Sequence, residues 1–90
     1  MKRRITLIIH GEVQGVSFRS AARFEARQRG ITGYIKNNPN KTTGIVAEGQ
    51  EEKLQEFIRW CSRGPLEANV TKVETAWQDY KSEFTELSIL

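Results

Sequence analysis

A strand, a turn and a helix follow one another in residues 5–30, ITLIIHGEVQGVSFRSAARFEARQRG. Apolar residues alternate in the first part, which is the period of a strand with one buried face; they are Ile5, Leu7 and Ile9. From about Ser17 to Arg29 apolar residues recur four positions apart, which predicts an amphipathic helix with a left-handed C-terminus at Gly30. We expect its buried stripe to contain Phe18, Ala22 and Ala26, widened by Ala21 and Phe24.

Turn-forming residues separate the next two strands, residues 31–37 and 42–49, so we expect a hairpin around Asn38-Pro39-Asn40-Lys41. Pro39 and Asn40 suit the central positions of a type I turn, which leaves Lys41 in the left-handed position normally taken by glycine. The alternative places Asn40 in the left-handed position, with another type of loop.

A second amphipathic helix is predicted from Glu51 to the stop signal Gly64-Pro65, with an apolar stripe of Leu54, Phe57, Ile58 and Cys61. Alternating residues then predict a strand with Val73, Thr75 and Trp77 on one face. A short final strand is predicted over residues 83–90, with Leu87 and Ile89 on one face.

The predicted order is therefore βαββαβ with a short extra C-terminal strand. Two helices on one face of a mostly antiparallel sheet form the α+β sandwich of the ferredoxin-like superfold. Residues 1–90 are expected to form a single domain, because the chain is too short for two cores. This superfold hosts many functions and does not decide among them.

Composition limits the classes of function. The chain has 14 Lys and Arg against 11 Asp and Glu, interspersed rather than in runs, so its charge of +3 is no nucleic-acid signature by itself. The single cysteine excludes an intrachain disulfide and favours a reducing compartment. The apolar run near the start alternates like a strand and is too short for a signal peptide or a membrane span, so we expect a cytoplasmic protein without a membrane partner.

The loop GEVQGVSFR, residues 11–19, has two interpretations. Its glycines can simply relieve a strand-to-helix turn, with Arg19 as a solvated helix residue. Alternatively, unpaired amides from about Gly15 to Arg19 lie at the positive end of a helix and converge on a phosphate, to which Arg19 adds a planar fork. A P-loop is excluded because no Gly-Lys-Ser/Thr follows, and the spacing is wrong for a dinucleotide fingerprint. The structural turn and the phosphate site both stay open on the residues alone.

For the other candidate functional residues, the sequence favours structural roles over functional ones. Asn37 precedes a turn and either initiates it or belongs to a site. His10 is the only histidine, which leaves too few ligands for a protein-held transition metal, and Cys61 completes an apolar stripe. The aromatic residues Trp60, Trp77, Tyr34 and Tyr80 are expected to pack rather than to stack on bases.

Two motifs give the sequence a specific resemblance. IHGEVQGVSFR, Ile9 to Arg19, is similar to the first signature of the acylphosphatases at every specified position, and GYIKNNPNKTTGIVAEG, Gly33 to Gly49, resembles the second. The likeness covers nearly the whole chain. It implies hydrolysis of a carboxylic-phosphoric anhydride to a carboxylate and inorganic phosphate, without a metal, a cofactor or a covalent enzyme intermediate.

The resemblance also implies the roles of particular residues. The phosphoryl group would be bound by the backbone amides of Gln14, Gly15, Val16, Ser17, Phe18 and Arg19, with the Arg19 side chain as a clamp. Asn37 would orient the attacking water. The implied partners are a small-molecule acyl phosphate and inorganic phosphate as product and inhibitor, and we expect a monomer that binds no nucleic acid.

Three positions depart from the second signature: Lys41 replaces glycine, Thr43 replaces valine, and Ile35 replaces a smaller apolar residue. All three lie in the hairpin that carries Asn37. A basic ferredoxin-like domain that binds nucleic acid, or a relative that binds anions without turnover, remains the alternative class. An RNA-binding domain has no reason to keep Arg19 and Asn37 together.

Overall fold

A computed structural model describes residues 1–90 and contains five strands and two helices. In chain order they are β1 (Lys2–Glu12), α1 (Phe18–Gln28), β2 (Thr32–Asn37), β3 (Thr43–Gln50), α2 (Glu51–Arg63), β4 (Asn69–Asp79) and β5 (Leu87–Ile89). The strands form one sheet in the order β4-β1-β3-β2-β5, antiparallel except for the short parallel pair of β2 with β5. The predicted ferredoxin-like α+β fold with an added C-terminal strand is confirmed.

Both helices cover the same face of the sheet. Alternate residues of β1 are fully buried on this face (Ile5, Leu7 and Ile9), and they share one core with the buried residues of the helices. Those of α1 are Phe18, Ala22 and Ala26, and those of α2 are Leu54, Phe57 and Cys61. The apolar periodicity of the sequence therefore predicts correctly which residues of these elements face the core. The core contains 15 residues.

The expected contribution of Phe24 to the buried stripe is wrong, because this side chain is 60% exposed. Phe24 is two residues from both Ala22 and Ala26, which places it about 200° around the helix from either of them. Gly30 does have the predicted left-handed conformation, with φ 67°.

The hairpin between β2 and β3 has the predicted geometry. The Lys41 amide donates to the Asn38 carbonyl at 3.1 Å, which closes the turn, and Lys41 is left-handed with φ 73°. The Asn38 amide donates to the Thr42 carbonyl at 2.8 Å at the base of the turn. Lysine thus occupies the position that favours glycine.

The sheet brings the two motifs to the same edge. Strands β1 and β2 each run antiparallel to the strand between them, β3, and so point in the same direction. Their C-terminal ends, at Glu12 and Asn37, therefore lie at one edge of the sheet. The loop before α1 and the hairpin with Asn37 both begin there.

The segment after β4 lies against the face of the sheet opposite the helices. Phe84 packs on Tyr34 with ring centroids 5.9 Å apart, and the amides of Lys81 and Glu83 donate to the buried carboxylate of Glu48. The predicted packing role is confirmed for Trp60, whose ring is 5.5 Å from that of Phe18.

Trp77 and Tyr80 differ from the expected packing role, since they are 37% and 38% exposed. They lie beside the basic side chains of Arg3 and Lys2, respectively. Neither helix is long and apolar enough to span a bilayer.

Candidate active site

The loop between β1 and α1 is held at both ends by buried side chains. Val13 and Phe18 are each 1% exposed and belong to the core, so the backbone between them is fixed at the surface. Gly15 has φ 77° and Ser17 has φ 61°, while Val16 between them has no positive φ. Alternation of this kind turns successive amide groups toward one side, as in an anion-binding nest.

The amides of residues 15–20 are available to a ligand. None of them donates to a protein acceptor, and the first backbone hydrogen bond of α1 runs from the Ala21 amide to the Ser17 carbonyl at 3.1 Å. The Ser17 side chain makes no capping hydrogen bond. These donors lie at the positive end of the helix, where an anion is stabilised.

A cavity of about 320 Å³ adjoins these amides. Its lining contains four of the six residues predicted to bind phosphate, Gly15, Ser17, Phe18 and Arg19, together with Val13 and Ser20. The other two, Gln14 and Val16, line a neighbouring cavity of about 380 Å³ with Lys41. We call residues 14–19 the cradle loop.

Arg19 is a half-buried cation without a protein partner. It lies in the first turn of α1, lines the smaller cavity, and forms no ion pair. Four other arginines each lie within 4 Å of a carboxylate: Arg3, Arg4, Arg27 and Arg29. The donors of the Arg19 guanidinium are therefore not used within the protein.

The side chain of Gln14 joins the cradle loop to the hairpin. Its Nε2 donates to the carbonyl oxygens of Asn38 at 3.0 Å and of Thr42 at 2.9 Å, at the two ends of the turn. Sequence reasoning considered only the backbone amide of Gln14 and missed this contact. A glutamine between two glycines was the available signal, but its acceptors are 24 and 28 residues away.

Asn37 lies at the end of β2 and is half-buried. Its Oδ1 accepts a hydrogen bond from Thr43 Oγ1 at 3.1 Å, and its Nδ2 has no protein acceptor. Asn37 does not line the cavity of about 320 Å³. Its hairpin is joined to the cradle loop by the two hydrogen bonds that the Gln14 side chain donates. The fold thus places Asn37 at the edge where the cradle loop begins.

The histidine and the cysteine have other surroundings. His10 Nε2 lies 2.5 Å from Glu74 Oε2 across β1 and β4, and this hydrogen bond is the main cause that lowers the pKa of Glu74. Cys61 is fully buried in the core, and burial raises the pKa of its thiol far above the ordinary value. No three His, Cys, Asp or Glu side chains are grouped where they could hold a metal ion.

The fold and this loop define a small ferredoxin-like domain with a turn of unpaired amides at a helix N-terminus. A sequence model of the acylphosphatase family matches residues 5–89. An acylphosphatase of Pelotomaculum thermopropionicum is 42% identical over 86 residues, which are 96% of this chain and 94% of that protein. An acylphosphatase of Thermococcus kodakarensis is 44% identical over 80 residues, 88% of each chain.

Solved structures agree with the sequence comparison. The crystal structure of acylphosphatase from Bacillus subtilis superimposes with a TM-score of 0.94 at 31% identity, covering 100% of this chain and 99% of that one. The chain belongs to the acylphosphatase family, a family of hydrolases.

Proposed function

We propose that the chain hydrolyses acyl phosphates and that the cradle loop binds the phosphoryl group. The observation that carries this assignment is that unpaired donors line one cavity: the residues with free amides at positions 15 and 17–20, and the unpartnered fork of Arg19. A phosphoryl group carries three oxygens that need such donors. Preorganised donors also stabilise the charge on those oxygens during transfer.

In this mechanism, water attacks phosphorus opposite the carboxylate leaving group. As the new P–O bond forms, the bond to the carboxylate oxygen breaks, and R–CO–OPO₃²⁻ plus H₂O gives R–COO⁻ and H₂PO₄⁻. A carboxylate is a good leaving group, so positioning and charge stabilisation are the main requirements. We assign the orientation of the water to Asn37.

No strong general base is needed for this route. His10 is engaged with Glu74, and the Cys61 thiol stays protonated in the core. The water passes its proton to a phosphoryl oxygen of the substrate itself. The proposed small-molecule activity also agrees with the charge pattern, because five of the 14 Lys and Arg side chains pair with carboxylates and the sequence has no long basic run.

Substitution of Arg19 tests the binding role. With a synthetic acyl phosphate such as benzoyl phosphate, we expect Arg19→Ala to lose hydrolysis and phosphate inhibition while remaining folded, and Arg19→Lys to restore little, because an ammonium lacks the planar fork. The matched control is Arg23→Ala, also a half-buried arginine of α1 without an ion pair, but outside the cavity lining. If Arg19→Ala keeps more than about a tenth of kcat/KM, a loss below ~1.4 kcal/mol, the assignment is wrong.

Substitution of Asn37 tests the second role. We expect Asn37→Ala to lower kcat strongly while the inhibition constant for inorganic phosphate stays nearly unchanged, since water is positioned only for the chemical step. A parallel loss of phosphate affinity would make Asn37 a binding or structural residue instead.

A further inference from the structure

Thr43 places a hydroxyl group in the core next to Asn37. It is 0% exposed and lies on the helix-covered face of β3, where Ile45 and Ala47 follow it at alternate positions. A buried hydroxyl requires a hydrogen-bond partner. The side-chain partner of Thr43 is Oδ1 of Asn37, at 3.1 Å.

In the structure, this bond is made by the acceptor end of the Asn37 amide. An asparagine amide has an acceptor end and a donor end of nearly equal shape, and its surroundings decide which one faces a ligand. Here the hydroxyl of Thr43 occupies a lone pair of Oδ1, while Nδ2 has no acceptor in the protein. The donor end is therefore the free end.

The backbone around the pair is held as well. Asn37 and Thr43 are paired residues of the β2 and β3 ladder and flank the turn. Gln14 of the cradle loop donates to the carbonyls of Asn38 and Thr42, the residues just inside this pair. The amide orientation and the position of the cradle loop are thus set at the same end of the hairpin.

We infer that Thr43 is a positioning residue that makes Asn37 a hydrogen-bond donor to the attacking water. This inference rests on the proposed function. A water that accepts from Nδ2 uses one lone pair for that bond and keeps the other for phosphorus. Since the acceptor end of Asn37 is turned to Thr43, the proton of the water is directed to a phosphoryl oxygen. Valine, the residue that the family usually has at this position, has no hydroxyl to form this bond.

The test compares variants of Thr43 with benzoyl phosphate as substrate and inorganic phosphate as inhibitor. Thr43→Val removes the hydroxyl at nearly constant volume, and Thr43→Ser keeps it. We expect kcat to fall about five- to tenfold in Thr43→Val, the effect of one lost hydrogen bond, and to stay within about twofold in Thr43→Ser. The inhibition constant for phosphate should be unchanged in both.

Thr42→Val is the matched control, because the hydroxyl of Thr42 bonds to Asn38 and Asn40 and not to Asn37. It reports what a general weakening of the same hairpin does to kcat. A second readout is the double variant Asn37→Ala with Thr43→Val, in which the threonine substitution should have no further effect on kcat, since its role acts through Asn37.

The outcomes separate this inference from the proposed function. If Asn37→Ala lowers kcat but Thr43→Val does not, or if Thr42→Val has the same effect, the role of Thr43 is wrong and the proposed function stands. If Asn37→Ala retains kcat, the water-orienting role fails and the inference fails with it. Should Thr43→Val not fold, NMR relaxation of the wild-type Asn37 side-chain amide decides: a rigid amide supports the inference, and an order parameter below about 0.6 overturns it.

Discussion

Glu48 is a fully buried carboxylate, and its replacement provides a quantitative test of how the segment after β4 is held on the sheet. It is 1% exposed on the face of β3 opposite the helices. Its oxygens accept from the amides of Lys81 at 2.8 Å and Glu83 at 3.1 Å, and from Arg4 Nη1 at 3.3 Å. One carboxylate thus fixes the segment after β4 against the sheet.

The substitution Glu48→Gln keeps the volume and removes the charge. Its amide oxygen can still accept one N–H, but its NH₂ group then faces a donor that the carboxylate had satisfied. Breaking a buried ion pair costs about 3–5 kcal/mol. Arg4 retains Glu83 as a partner and its side chain is 14% exposed, which lowers the cost. We therefore expect Glu48→Gln to lower the free energy of unfolding by about 2–4 kcal/mol at pH 7.

The pH dependence of the free energy of unfolding provides an independent test of this role of Glu48. Burial by itself would raise the pKa of Glu48, but the amides of Lys81 and Glu83 and the Arg4 guanidinium outweigh it, so the pKa is lowered from its ordinary value of 4.5. Because the pKa of Glu48 is lowered in the folded state, the carboxylate stabilises the protein at pH values above its pKa in the unfolded state. This stabilisation is lost as the pH falls below about 4.5. The difference between wild type and Glu48→Gln should therefore shrink in acid.

Urea unfolding at pH 7, 5 and 3.5 measures this difference. Glu74, whose pKa is also lowered, is present in both proteins and cancels in the comparison. The matched control is Glu86→Gln, which removes a carboxylate that is 67% exposed and paired with Arg27, and should change stability by less than about 1 kcal/mol. A Glu48→Gln protein as stable as the control at pH 7, or a difference that does not change with pH, would refute the reasoning.

Three further outcomes are expected. Lys41→Gly should stabilise the protein by a few tenths to about 1 kcal/mol in urea with little change in kcat, because Lys41 is left-handed with φ 73°; a destabilised variant would contradict this explanation. Gly33→Ala should destabilise by about 3 kcal/mol or more in thermal or urea unfolding, since a Cβ there would lie 1.8 Å from the Val46 carbonyl oxygen; normal stability would show that the strand backbone relaxes. Hydrolysis should persist in excess chelator, because no three potential metal ligands are grouped; revival of a chelated enzyme by magnesium or zinc would overturn this expectation.

The predictable part of the candidate site is its local chemistry. The glycine positions and the helix N-terminus predict a turn with free amides, and the turn residues 38–41 predict the left-handed Lys41. Both features depend on backbone conformations within a few residues, which individual side chains favour or exclude. The wrong expectation for Phe24 arose from widening a helical stripe beyond the angle that the core covers.

The sequence by itself determined the order of elements and most of the core, because burial imposes a period of two on strands and about 3.6 on helices. Only the tertiary structure decided the partners of polar side chains. Gln14 and the hairpin are 24 to 28 residues apart, and Glu48 and the segment that covers it are 33 to 35 residues apart. Such contacts depend on the path of the whole chain, whereas periodicity records only which side of an element faces the core.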